Sequence, residues 1–536
     1  MYQYIWENNK NHLSDIAIRY YGTKITYGKL FANIEKAAAS FYAMGVRAGD
    51  IVTIMSLHTP ETVVCIYALN YIGAVANMVY LTLSEKEILQ TLETTKSKLF
   101  LVLDLALDRV DRIKNSISIP VVVLCLSDSF PTHLKIVYGL KKKPVKHDFL
   151  TWKGFIAKAG NLAPLADNHA ATAVIVYTSG TTGEPKGVEL SNDNINAIAL
   201  QYRFVDAKIE RGDTMLVFMP PFLSIGLCYL HMPMCHGVEL IICADPDPQN
   251  VTAEFFKHKP NHYVTAPANA LLVLSEPRQD LSFVKSFGAG GDSMSVEDEN
   301  RLNQYLQDCA CTVKYSAGYG MTEFSAVVTV NSNSARKIGT IGIPLVKCNV
   351  RITDLETHEE KKINEVGEML FCTPSQMQGY INCEEENKKI IEDFGDGNKW
   401  IHTGDLGFVD EDGFVHYVGR IKRIYLTKII GGDGTLYKIF PQRIEESIER
   451  LDDVKICGVV VRKDDIRLHI PTAYVVLSNE SIKAENAIKT IWENVRGELP
   501  EQDWPESILI LNTMPMTPSG KIDYQALEKL AEENNA

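Results

Sequence analysis

Cys-x-x-Cys pairs and Cys/His arrays are missing from this chain, although eleven cysteines are scattered along its 536 residues and Cys309 and Cys311 stand close together. That pattern gives no sign of a zinc knuckle or a disulfide framework, and a reducing cytoplasm is the expected home. Basic charge is short: 54 Lys and Arg face 67 Asp and Glu, a formal net charge of −13. A general nucleic-acid role is disfavoured, and any anionic ligand must be met by locally placed cations rather than by the global field. The N-terminal stretch Met1–Asn9 has neither a basic flank nor an apolar core, so no secretory signal is expected. Internal repeats and low-complexity segments are lacking as well.

Uninterrupted apolar length is scarce. The stretch Thr62 to Ser84 carries no charge and is long enough for a bilayer, yet it holds Asn70, Gly73 and Asn77. It reads as a buried helix followed by a buried strand at Val79–Leu81, and no transmembrane segment is expected. What the chain does have is alternation. Strand-like runs at Ile51–Met55, Leu99–Leu103, Val121–Leu126, Ala173–Tyr177, Met215–Phe218 and Val238–Cys243 are separated by longer helical segments, the pattern of an α/β fold with parallel sheets. At this length two or more domains are expected.

One run is built for phosphate. Tyr177 ends an apolar strand and is followed by Thr178, Ser179, Gly180, Thr181, Thr182, Gly183, Glu184, Pro185, Lys186 and Gly187. Small hydroxyl residues and glycines let backbone N–H groups close around phosphate oxygens, and Lys186 adds a mobile positive charge. No Gly-Lys-Ser or Gly-Lys-Thr closes the loop, so the P-loop ATPase and kinase readings lose their support.

This run resembles the signature of the adenylate-forming superfamily, which includes acyl-CoA synthetases, nonribosomal adenylation domains and firefly luciferase. The resemblance continues in order at Phe287–Asp292, Tyr319–Glu323, Trp400–Gly407, Gly419–Arg420 and Pro515–Asp523. It implies a large multi-subdomain N-terminal α/β domain over residues 1–420, a hinge at 421–424 and a small mobile α+β C-terminal domain over 425–536. It also implies ATP, Mg²⁺ and CoA as the small molecules handled, and a carboxylate joined to AMP before transfer to a thiol.

Site roles follow from the same resemblance. Residues Thr178 to Gly183 and Lys186 would cradle the phosphates; Gly290 and Gly291 would pass under the adenine; Tyr319 and Gly320 would carry the ring. Thr322 would reach the α-phosphate and Glu323 would hold the metal. Asp405 and Arg420 would bind the ribose, and Lys521 would be the catalytic lysine of adenylation. Two prolines and a glycine in Pro515–Asp523 keep that lysine on a restrained loop. The hinge position, usually Asp or Lys, is Arg423 here.

The acid to be activated is read from the run Phe222-Leu223-Ser224-Ile225-Gly226-Leu227. Relatives that activate amino acids place an aspartate where Leu223 stands, and an ammonium beside leucine would lack a partner. Many acyl- and aryl-CoA synthetases have histidine there, so Leu223 departs from both patterns. Leu223, Ile225 and Gly318 are the expected acyl-pocket residues, and an apolar, fatty-type carboxylate is the expected substrate. The segment Thr427–Glu445, which resembles the thiol-side loop, is extended before Phe440-Pro441, so the alternative acceptor is the phosphopantetheine of an acyl carrier protein. A non-catalytic nucleotide-binding regulator is the third reading. The basic, partly apolar stretch Leu134–Lys146 reads as a solvated connector broken at Gly139 and Pro144, with peripheral contact to an anionic membrane as its alternative.

Overall fold

Continuous apolar runs build the two large sheets. In a computed structural model, which describes all residues except 142–146, 162, 167–170, 179–184, 246–247, 424, 429–435, 465, 480, 518–520 and 534–536, the strand Leu99–Leu103 is buried at every position. Parallel strands covered on both faces have this character. It lies within an eight-stranded sheet that includes Ile51–Met55, Val75–Met78, Val121–Leu124 and Thr172–Tyr177, all parallel, with Gly187–Ser191 and Gly379–Tyr380 added antiparallel at one edge. A nine-stranded sheet contains Thr214–Val217, Glu239–Ile242, His262–Thr265, Ser286–Gly290 and Tyr315–Tyr319 in parallel. One apolar core joins residues of both, from Val52 and Val174 to Leu240 and Val328.

The charge-free stretch is a buried helix and strand. Thr59 caps the helix Pro60–Tyr71 by accepting from Thr62 N at 3.1 Å, proline occupies a first-turn position, and every residue but Asn70 is buried. The strand, however, is Val75–Met78 and not Val79–Leu81. Val79 N makes a last bond to Ile54 O before the chain turns away at Leu81. Nor does Gly139 break the helix that holds it. The helix Thr132–Lys141 runs through it, anchored by Tyr138, whose hydroxyl donates to Asp104 Oδ2 at 2.9 Å. A single glycine costs about 1 kcal/mol in a helix, which is not enough to break one that is tied down. Pro144 lies outside the described residues. Among the described residues no helix is long and apolar enough to cross a membrane.

A five-stranded sheet follows, in which Trp400–Val409 pairs antiparallel with Gly367–Cys372 and Val415–Arg420. The chain then forms a small α+β domain. The hairpin Val454–Asp464 and Leu468–Leu477, joined by Ser507–Ile510, packs under the helices Pro441–Glu449 and Ala484–Glu498 around Ile444, Val475 and Ile491. The molecule is therefore a large N-terminal α/β domain with a smaller C-terminal one.

Candidate active site

The phosphate-type loop is closed at its neck by its own backbone. Thr172–Tyr177 and Gly187–Ser191 pair as a hairpin, Thr178 N donates to Lys186 O at 3.0 Å, and Lys186 N donates to Thr178 Oγ1 at 3.1 Å. Ser179, Gly180, Thr181, Thr182 and Gly183 lie outside the described residues. Lys186 Nζ makes an ion pair with Glu386 Oε2 at 2.5 Å and sits 5.0 Å from the centre of the Tyr380 ring. Neither partner was visible in the sequence: Tyr380 is brought in only because Gly379–Tyr380 adds to the edge of the strand after the loop, opposite Val188.

Two neighbouring parallel strands end where the glycines stand. Gly290 is paired with Gly318, and a side chain on Gly290 would place its Cβ 2.8 Å from Gly318 O. Gly291 follows with φ +93°, a conformation glycine alone takes without strain. Gly318 differs: a Cβ there would meet nothing nearer than 3.5 Å, so its bareness leaves room. Gly320 allows the tightest approach of the site, since a Cβ would fall 1.8 Å from Ala326 O. The C-terminal ends of parallel strands are the usual place for a ligand crevice in open α/β sheets.

Tyr319, Asp405, Arg420 and Glu323 form a polar group beside that crevice, in which Asp405 and Glu323 are buried, Tyr319 is half-buried and Arg420 is exposed. Tyr319 OH donates to Asp405 Oδ2 at 2.7 Å, and its ring lies against Phe371 and Tyr417. Asp405 and Arg420 are opposite one another in the ladder, which sets Arg420 Nε 3.3 Å from Asp405 Oδ1. Even so, Oδ1 is buried and accepts no hydrogen bond. Burial pushes the Asp405 carboxyl above its ordinary pKa, against the pull of Arg420. Glu323 is buried too, raised by desolvation, and its Oε1 accepts from Tyr380 OH at 2.6 Å. Thr322 begins the short 3₁₀ turn that carries Glu323 and Phe324.

Lys521 arrives from the small domain. Thr517 N donates to Lys521 O at 2.7 Å, Lys521 N to Thr517 Oγ1 at 3.2 Å and Asp523 N to Pro515 O at 2.9 Å, so the loop is pinned on both sides of the lysine. Burial and the charge of Arg420 lower its ammonium pKa, while Asp292, Asp405 and Glu323 act in the opposite direction. Lys521 is thus within electrostatic reach of the Asp405 group, which sits on the large domain. Arg423 faces the other way. Its guanidinium bonds Glu445 at 2.7 and 3.2 Å and Val459 O at 3.0 Å, and lies 3.9 Å over the Tyr524 ring.

Leu223 immediately precedes the helix Ser224–Met234, and is half-buried against the main core beside Phe222, which contacts Tyr80 with ring centres 4.9 Å apart. Ile225 is half-buried on the first turn of the same helix. A Cβ on Gly226 would fall 2.1 Å from Pro220 O, which fixes this helix start tightly against the preceding loop.

The AMP-binding enzyme family matches residues 5–381, and the AMP-binding enzyme C-terminal domain matches residues 443–521. The chain belongs to the AMP-binding enzyme family. Similar relatives include a long-chain-fatty-acid–CoA ligase of Bacillus subtilis (strain 168), 29% identical over 97% of this chain and 92% of that protein. A 2-succinylbenzoate–CoA ligase of Bacillus cereus (strain Q1) is 27% identical over 95% of this chain and 94% of that protein. Among solved structures, the o-succinylbenzoate CoA synthetase of Bacillus subtilis with its acyl-adenylate intermediate superposes with a TM-score of 0.80, covering 98% of this chain and 97% of that one at 22% identity. The anthranilate CoA ligase AuaEII with anthranoyl-AMP gives 0.84, covering 99% and 96% at 20% identity. At those identities the structures speak for the shared fold.

The residues present suit the nucleotide of this family. Asp405 Oδ1, buried without a hydrogen bond, is an acceptor awaiting a donor such as a sugar hydroxyl. Glu323 is a buried carboxylate of the hard-oxygen type that Mg²⁺ takes, and desolvation makes a neighbouring cation favourable there.

Proposed function

We propose that this enzyme is an AMP-forming acyl-CoA ligase that activates an apolar, fatty-type carboxylic acid. The observation that carries the reading is the family match over both parts of the chain, residues 5–381 and 443–521, beside a Tyr319, Asp405 and Arg420 group with Lys521 in its electrostatic range. Binding alone does not need a lysine delivered from a second domain, which weighs against a non-catalytic regulator. The names of the relatives span fatty, coumaric and succinylbenzoic acids, all of them CoA ligases.

In this reading the chemistry is in-line attack by a carboxylate oxygen on the α-phosphorus, with pyrophosphate leaving, and then attack of a thiol on the acyl carbon with AMP leaving. Both reactants of the first step are anions, so their approach is the main obstacle. Lys521 offsets the negative charge that builds at the α-phosphoryl group, Thr322 donates to it, and Lys186, released from Glu386, meets the outer phosphates. Asp405 accepts from the ribose hydroxyls with Arg420 beside it. Glu323 would hold Mg²⁺, which supplies charge neutralisation for the triphosphate when bound. No side-chain nucleophile is required.

The apolar substrate rests on Leu223 and Ile225 at the helix start and on the room left by Gly318; each methylene buried there contributes about 0.8 kcal/mol. We place the division between domains at 421–424, because every partner named above for Arg423 belongs to the small domain and Arg420 pairs with the large one. Rotation about that segment would let a thiol replace Lys521 at the site.

Pyrophosphate release from the purified protein with ATP and Mg²⁺, over short, medium, long, aromatic, dicarboxylic and amino acids with and without CoA, tests the reading when the products are weighed by mass spectrometry. Acyl-CoA from a fatty acid is the expected product. Acyl-AMP that accumulates despite CoA would transfer the second step to a carrier-protein phosphopantetheine, and turnover of charged or amino acids alone would overturn the apolar pocket.

A further inference from the structure

Away from the nucleotide crevice, on the five-stranded sheet, two histidines and a carboxylate are drawn together from three separate segments. His358 comes from the turn between Asn349–Thr353 and Gly367–Cys372, Glu392 from the short strand Ile391–Glu392, and His402 from Trp400–Val409. Their ligand-type atoms all lie within 4.8 Å of one another, the one such group of three among the described residues. Glu392 Oε2 is 2.7 Å from His402 Nε2 and 3.1 Å from His358 Nδ1.

A fourth residue completes the pattern. His402 Nδ1 is 2.9 Å from Glu368 Oε2, and Glu368 Oε1 in turn accepts from Gly404 N at 3.0 Å. With Nδ1–H on Glu368, Nε2 is the nitrogen that faces Glu392; without metal it donates a proton to that carboxylate, and a bound ion takes the lone pair in that proton's place. A carboxylate behind a histidine in this way is the usual outer partner of a metal-bound imidazole. His402 and Glu368 are largely buried, at 13% and 14% side-chain exposure, whereas Glu392 and His358, at 35% and 48%, leave the group open to solvent on one side. His358 is also held in place. Asp354 Oδ1 accepts from Glu356 N and Thr357 N, its Oδ2 pairs with Lys361 at 2.6 Å, and His358 itself sits at φ +57°.

We infer that His358, Glu392 and His402 form a binding site for one divalent transition-metal ion of the zinc type, with Glu368 orienting His402. Two imidazole nitrogens and one carboxylate oxygen suit Zn²⁺, Co²⁺ or Ni²⁺ and are a poor set for Mg²⁺, which prefers oxygen, so the site is distinct from the one at Glu323. Ligand atoms about 2.0–2.1 Å from a tetrahedral ion lie about 3.3 Å apart, and rotation of the half-exposed His358 side chain on its fixed backbone closes the remaining gap. The fourth position faces solvent and would take water. Such an ion would tie the 354–360 turn to the strand that bears Asp405, three residues beyond His402.

The test uses the full chain freed of metal by chelation, titrated with Co²⁺ and followed by its visible absorption, with Zn²⁺ then added to displace it. The wild type is expected to take up one equivalent with tetrahedral-type bands, and to gain thermal midpoint with Zn²⁺. His358→Ala should lose that equivalent while keeping the metal-free midpoint and circular dichroism of the wild type. Glu368→Gln should weaken uptake by about 10–100-fold. Equal uptake by wild type and His358→Ala, or no Co²⁺ bands at saturating metal, would overturn the site.

Discussion

Lys521→Ala isolates the first half-reaction. The charges that act on Lys521 are those of three carboxylates, Asp292, Asp405 and Glu323, and of one other cation, Arg420. Without the lysine a single guanidinium faces three carboxylates and an incoming triphosphate, at the point where charge concentrates during attack. Losing one preorganised group of this kind in a water-poor site costs roughly 10²–10³-fold in rate, about 3–4 kcal/mol. Because the lysine acts on charge that develops only during attack, ATP affinity should change only a few-fold. The assay is carboxylate-dependent ATP–pyrophosphate exchange, set beside thioester formation from chemically made acyl-AMP and CoA. Exchange should fall by the stated factor while the second half-reaction stays within a few-fold of wild type. An equal loss in both halves, or exchange within ten-fold of wild type, would refute the argument and leave Lys521 as a merely structural residue.

Asp405→Asn should weaken ATP and AMP binding by roughly 10–100-fold, the worth of one charged hydrogen bond, with a smaller effect on the rate at saturation; calorimetry with AMP reads this directly, and unchanged affinity would remove Asp405 from the ribose. Gly320→Ala forces a Cβ to within 1.8 Å of Ala326 O, so the turn must shift, and a loss of about 1–3 kcal/mol together with weaker AMP binding is expected in thermal melts and titration. The buried Glu61 carboxyl is pushed up to about 7 by desolvation, against the hydroxyl of Ser129. Its folded pKa is raised, so its contribution is whole below the ordinary value of 4.5 and is lost as pH rises through about 7, an upper bound of about 3 kcal/mol. Glu61→Gln should therefore flatten the fall in thermal midpoint between acid and mildly alkaline pH; identical slopes in variant and wild type would show that Glu61 is not the group responsible.

Much of the architecture was written locally. The apolar runs at Ile51–Met55 and Leu99–Leu103 had to be buried on both faces, and the glycines at Gly290, Gly291 and Gly320 stand where the backbone turns or where a neighbouring carbonyl leaves no room for a side chain. Asp405, Arg420 and Lys521 were legible as members of ordered motifs, without any indication that they meet. The strand lies at Val75–Met78 rather than Val79–Leu81, and the helix continues through Gly139, because ladder pairing to a neighbouring strand and the Tyr138 anchor outweigh local preference. Tertiary structure alone decided the rest. Tyr380 on Glu323 and Glu386 on Lys186 arise from an edge strand pairing across nearly two hundred residues, and His358, Glu392 and His402 share no spacing that a periodic pattern could reveal. Side-chain periodicity in one element sets which face is buried; which charged groups then face one another depends on sheet order and register, and those are settled only when the whole chain is packed.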